Sequence, residues 1–155
     1  MSKAKSRAGQ RRTSGFSLIE LMIVVVIVAI LSSIAYPSYL NQVTQARRVD
    51  AQAVLMDATQ FMERFYTENN RYDQDTGGTA VALPAQLRES PRDSGTKSYD
   101  ITVQAATAST YTLQATPKNA QAGDGFIQIT NTFAKGWDSD SSGALSAAEQ
   151  TWSQY

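Results

Sequence analysis

From Phe16 to Tyr36 the chain runs 21 residues with one charged side chain, Glu20. As an α-helix this stretch is roughly 30 Å long, enough to cross the apolar core of a bilayer. A helix apolar on every side must be buried in lipid or among other helices, so the remainder of the chain either folds attached to this rod or loses it. Glu20 stands at the edge of the strictly apolar run Leu21 to Leu31. An ionisable group inside a hydrophobic segment costs a few kcal/mol on insertion scales and by default marks a functional position. Ser32 and Ser33 soften the far end of the run. Pro37 lacks a backbone donor and crowds the preceding turn, so a kink or break is expected over 34–37.

Charge is divided along the chain. The total is zero, but residues 1–15 carry Lys3, Lys5, Arg7, Arg11 and Arg12 with no acid, which leaves nine basic and fourteen acidic residues beyond them, net −5. A basic leader ahead of an apolar segment is retained on the cytoplasmic side, which places the residues beyond the segment on the opposite side. At 155 residues the chain holds one domain of ordinary size behind that appendage. It contains neither cysteine nor histidine. That excludes a disulfide framework, thiol nucleophiles, Ser-His triads and histidine-ligated metals. With no convincing carboxylate pair either, the chain reads as a non-enzyme.

On physical grounds two readings of residues 1–36 stand side by side. One is an uncut membrane anchor. The other is a secretory signal peptide, whose apolar core has the length of the Leu21–Leu31 run and whose small-x-small cleavage site Ser33-Ile34-Ala35 supplies. Glu20, placed where that core begins, speaks against the second.

The nine residues Gly15-Phe16-Ser17-Leu18-Ile19-Glu20-Leu21-Met22-Ile23 resemble the prepilin signature of type IV pilins and type II secretion pseudopilins. The resemblance implies cleavage between Gly15 and Phe16 by a membrane peptidase and N-methylation of the new Phe16 amine. It also gives Glu20 a role in assembly. A carboxylate cannot remain unpaired in an apolar bundle, and in a filament it would meet the Phe16 amine of a neighbouring subunit and set the register. In the membrane-stored subunit the same side chain would reach the interface. The implied organisation is a removed leader over 1–15, an apolar transmembrane and assembly helix over 16–44, and a globular head over 45–155.

Within the head, Val54, Ala58, Phe61 and Phe65 recur at helical spacing, with Leu55 and Met62 beside them, and define one apolar helix face. The paired Asn69 and Asn70 suit a C-terminal cap. From Arg71 to Thr96 glycines and prolines predict mainly loop. Period-two alternation then predicts three strands, around Tyr99/Ile101/Val103, Tyr111/Leu113/Ala115 and Ile127/Ile129, with 117–125 as loop. The sum is α+β, a long helix packed on a small antiparallel sheet, similar to the pilin fold. The helix exit Phe65-Tyr66…Arg71-Tyr72 is closer to PilE-like minor pilins than to pseudopilins.

Residues 138–149 have the spacing of a calcium loop. Oxygen ligands come from Asp138, Asp140 and Ser142, from the Ala144 carbonyl, from Ser146 through water and from Glu149, with Gly143 at the sharp turn. The competing reading is a polar turn in which Asp and Ser side chains bond nearby amides and Ser146 with Glu149 forms a capping box. No helix enters the loop, because Phe126 to Phe133 reads as strand. Many type IV pilins close this region with a disulfide; this chain cannot, and a bound calcium would staple it instead.

The resemblance implies a structural subunit, minor by its likeness, stored across the inner membrane in a single pass and then assembled into an extracellular pilus. Partners are other pilins, the prepilin peptidase, the assembly platform with its ATPase, and lipid before assembly. Twitching motility, adhesion or DNA uptake are the implied roles. The alternatives are a type II secretion pseudopilin and a tip pilin that binds DNA or a surface. Arg47, Arg48, Lys118 and Lys135 are the candidate basic patch for DNA, which the net charge of −5 disfavours.

Overall fold

The computed structural model describes residues 15–152. Apart from Gly15, the leader lies outside them. One helix, α1 (Leu18–Asn69), precedes strands β1 (Glu89–Ser90), β2 (Tyr99–Ala106), β3 (Tyr111–Pro117), β4 (Ile127–Thr130) and β5 (Lys135–Trp137). Short 3-10 turns occupy Ala85–Leu87, Asn119–Gln121 and Ala147–Glu149. The chain divides into two compact units, one reaching Leu40 and one from Asn41 onward.

In the first unit α1 is uninterrupted through Pro37, so the expected break does not occur. Proline deprives the helix of one donor, but a single lost bond in a long helix is bridged by the bonds on either side. One turn earlier the Ser33 hydroxyl donates to the Ile30 carbonyl at 2.7 Å.

In the second unit α1 ends at the paired asparagines, as expected. Asn70 adopts the left-handed conformation, φ 58°, and its N–H donates to Tyr66 O at 2.7 Å, which closes the last turn. The Asn69 side-chain amide donates to Phe65 O at 2.9 Å. The core-facing stripe is Ala51, Val54, Leu55, Ala58 and Met62, whereas Phe61 packs at its margin, half-buried. Val54, Leu55, Ala58 and Met62 are buried as the sequence pattern expects, and Phe65, at the end of that pattern, is only half-buried.

The sheet is an antiparallel meander in the order β1-β2-β3-β4-β5. Ile101 pairs with Ala115, Ala115 with Ile127 and Ile127 with Trp137, and Leu113 pairs with Ile129. These rows share the inner face and pack on the α1 stripe in one core with Tyr99 and Tyr111. A register shift between Val103 and Ala105 ends the regular alternation of β2. The three predicted strands are present. β1 and β5 are additional to them, and Phe126–Phe133 is strand only over Ile127–Thr130.

Candidate functional site

The N-terminal candidates stand together at the start of α1. Gly15 and Glu20 are exposed and Phe16 is 82% exposed. The Ser17 N–H points to Glu20 Oε2 at 3.5 Å, and Leu21 N donates to Ser17 O at 3.2 Å. The carboxylate thus turns back over the first helical turn toward the residue after Phe16. A first-turn acid is also favoured by the helix dipole. From Leu18 to Leu40 every large apolar side chain of the helix is exposed. Soluble monomers rarely expose more than a few hundred Å² of contiguous apolar surface, so this half of α1 requires lipid or other helices around it. Among the described residues α1 is the one helix long and apolar enough to cross a membrane.

The C-terminal candidates also converge. Carboxylate oxygens of Asp138, Asp140 and Glu149 lie within 4.8 Å of one another. Asp138 is buried; its Oδ1 accepts from Ser142 N at 2.9 Å and its Oδ2 from Gly143 N at 2.9 Å. Asp140 Oδ1 accepts from Ser142 N at 3.0 Å. The Ser142 hydroxyl donates to Ala144 O at 3.0 Å, so these two predicted ligands are also adjacent. Glu149 Oε1 accepts from Ser139 N at 2.7 Å and Oε2 from Ser146 N at 3.0 Å, which completes the capping box. The bonds from Ser146 and Ser139 hold the Glu149 carboxyl down at about 2, and those from Ser142 lower Asp140. Gly143 has φ +86°, as its turn requires. The polar turn is therefore formed, by the same residues that the calcium spacing selects.

The candidate basic residues do not form a free patch. Arg48 pairs with Asp124 through both Nε, at 2.8 Å, and Nη2, and its guanidinium lies 3.5 Å from the centre of the Trp137 ring. Lys118 Nζ is held by Glu89 at 2.7 Å and Asp100 at 2.6 Å. Lys135 sits over the Trp152 ring at 4.7 Å. Arg47 and Lys135 form no ion pair among the described residues.

Asp124 organises a network that sequence reasoning missed. Besides Arg48 it accepts from the Tyr99 hydroxyl at 2.5 Å and from Gln121 Nε2 at 3.0 Å, and its carbonyl accepts from Trp137 Nε1 at 2.7 Å. Burial, and then the neighbouring Asp124 carboxylate, push the Tyr99 hydroxyl well above its usual range. Glu63 plays a similar part at the other end of the sheet, taking bonds from Tyr72 and Tyr111, each at 3.0 Å. Arg48 and Asp124 are 76 residues apart, and no local pattern marks either as paired.

Comparisons with known proteins identify the family. Residues 10–36 match the prokaryotic N-terminal methylation motif. Residues 37–128 match the family described as type IV minor pilin ComP, DNA uptake sequence receptor. The type IV wide pilus major component PilA4 of Thermus thermophilus is 31% identical over 105 residues, 68% of this chain and 74% of that protein. The type II secretion system core protein G of Aeromonas hydrophila is 33% identical over 88 residues, but these span 52% of this chain and 62% of that protein. The non-core minor pilin PilV of Neisseria meningitidis aligns over 61% of this chain and 85% of its own, at 16% identity and a TM-score of 0.47. With a methylation motif leading into the exposed apolar helix, and a minor-pilin match over more than half of its length, the chain belongs to the type IV pilins, in the minor-pilin family.

Proposed function

We propose that the chain is a minor pilus subunit, cut between Gly15 and Phe16 by a prepilin peptidase and N-methylated at Phe16. The helix over 16–44 holds it in the inner membrane until the assembly platform and its ATPase move it into an extracellular filament. The observation that carries this reading is the wholly exposed apolar half of α1 with Glu20 at its entrance. Assembly exchanges lipid contacts for helix packing, and a Glu20 carboxylate meeting a neighbour's Phe16 amine removes two unpaired charges at once. Such a subunit needs no chemistry of its own. It would serve twitching motility, adhesion or DNA uptake through the fibre. Mass and N-terminal sequencing of the mature protein test the processing: N-methylated Phe16 supports it, and a start at Tyr36 overturns it. Glu20→Ala is expected to leave cleavage intact and reduce the subunit recovered in sheared fibres at least tenfold.

A second reading is DNA capture, favoured by the description of the matched family. The cations left for phosphate contact in the head include Arg47 and Lys135, against a net charge of −5. Gel shifts with full-length protein in detergent test it; silence at low salt removes it. Similarity to the secretion pseudopilin makes secretion the third reading, which piliation and secretion assays on a deletion strain separate from the first.

For the C-terminal loop we infer calcium binding, with Asp138, Asp140, Ser142, the Ala144 carbonyl and Glu149 as ligands. The donor set fits a hard cation: three carboxylates, a hydroxyl and a carbonyl, all oxygen. Bound calcium would staple this cysteine-free region and stabilise the head by mass action. Thermal melts with calcium and with chelator decide it; identical midpoints eliminate the site.

A further inference from the structure

The geometry points to Tyr36 and Tyr39 as an interfacial anchor that fixes how deep the apolar half of α1 sits in a bilayer, with the lipid headgroup zone as their partner. They are the first tyrosines of the chain, and neither tyrosine nor tryptophan recurs before Tyr66. Helix α1 runs unbroken through Pro37, so these positions, three apart, share one face. Tyr36 is 64% exposed and Tyr39 65%, and neither hydroxyl makes a hydrogen bond among the described residues. The exposed apolar surface of the first unit ends one residue on, at Leu40, and the polar Asn41 and Gln42 follow. At the helical rise, Tyr36 lies roughly 24 Å and Tyr39 roughly 28 Å along the axis from Glu20, against about 30 Å for the hydrocarbon core of a bilayer.

That spacing selects one depth. From Phe16 to Leu40 the stretch is roughly 37 Å long, more than the core holds upright. A helix tilted to bury all of it would draw Glu20 and both tyrosine hydroxyls into hydrocarbon. With the core laid between Glu20 and the tyrosine pair, the carboxylate and the hydroxyls reach polar surroundings at opposite boundaries. A tyrosine ring suits such a boundary, because its apolar body packs among acyl chains while its hydroxyl bonds water and headgroup oxygens. The basic leader orders the two ends, with Glu20 at the cytoplasmic boundary and the tyrosines at the other. A neighbouring helix is the poorer partner, since helix interfaces in lipid favour small residues that let backbones approach. The inference rests on the reading that this helix is stored in a membrane, and is independent of its later entry into a filament.

The chain has no cysteine, so a single substitution carries one fluorophore to a chosen depth. Full-length Ser33→Cys and Asn41→Cys proteins are labelled and placed in vesicles of phosphatidylethanolamine and phosphatidylglycerol, and quenching by iodide on both sides of the membrane is read. The label at Asn41→Cys is expected to be quenched at least fivefold more strongly than that at Ser33→Cys. Adding Tyr36→Leu/Tyr39→Leu keeps the helix apolar and removes the hydroxyls. It is expected to lower quenching at Asn41→Cys at least twofold as the helix slides inward, whereas Tyr36→Trp/Tyr39→Trp should preserve it. Equal quenching at Asn41→Cys with and without the leucine pair overturns the anchor. So does quenching there that changes with the protein-to-lipid ratio, since helices rather than lipid would then cover the tyrosines. In either case N-methylated Phe16 on the mature protein leaves the pilin reading standing. A label at Ser33→Cys as accessible as that at Asn41→Cys overturns the anchor and the membrane span together.

Discussion

Gly125 shows how little freedom some single positions have. Its φ is +73°, and a Cβ placed there would lie 1.6 Å from the Asp138 carbonyl oxygen. Gly125→Ala therefore has to move backbone as well as strain it, and we expect a loss of several kcal/mol or failure to fold, read by urea denaturation. Next to it, Asp124 and Arg48 are both largely buried. Asp124→Ala leaves a guanidinium over Trp137 without its carboxylate and should cost roughly 3–5 kcal/mol. Glu149 gives a prediction in pH. Its carboxyl is lowered from 4.5 to about 2 by bonds it accepts as the anion, so its contribution is complete above about 4.5 and is lost as pH falls toward 2. Fluorescence of Trp137 and Trp152, on either side of the loop, should change over that window, and Glu149→Gln should flatten the change. The roles of Asp124 and Gly125 are not legible locally. Both lie in a stretch that sequence marks only as loop, and their partners are distant in the chain.

At the level of elements, legibility depends on length and one-sided burial. β2, β3 and β4 each alternate over enough residues to expose a period of two, and each is where the pattern places it. β1 has two residues and β5 three, one of them glycine, so neither can show a period. The end of α1 is legible because an asparagine cap is a local event. The fate of Pro37 is not, because a helix can continue through one missing bond when the turns beside it hold. The buried stripe of α1 coincides with its sequence assignment at Val54, Leu55, Ala58 and Met62 and departs from it at Phe61 and Phe65, which are only half-buried. A direct check is available: Met62→Ala should cost about 2–5 kcal/mol and Phe65→Ala less, measured as shifts in denaturation midpoint.

On the scale of the whole molecule, the charge split and the apolar run are legible from the first residues, and so is the family. The head has its own core, drawn entirely from residues beyond Leu40. A chain starting at Asn41 is expected to be soluble without detergent and to melt in one transition, monitored by circular dichroism, whereas the chain with residues 16–40 requires detergent. The sheet adds a constraint on how such molecules can join. Its two outer strands are only two and three residues long. Sheets polymerise edge to edge when a long, flat margin offers unpaired amides and carbonyls for a newcomer to template on. β1 covers β2 only at Tyr99 and Asp100, and the irregularity between Val103 and Ala105 breaks the flatness of the margin that continues beyond it, which works against a second sheet docking there.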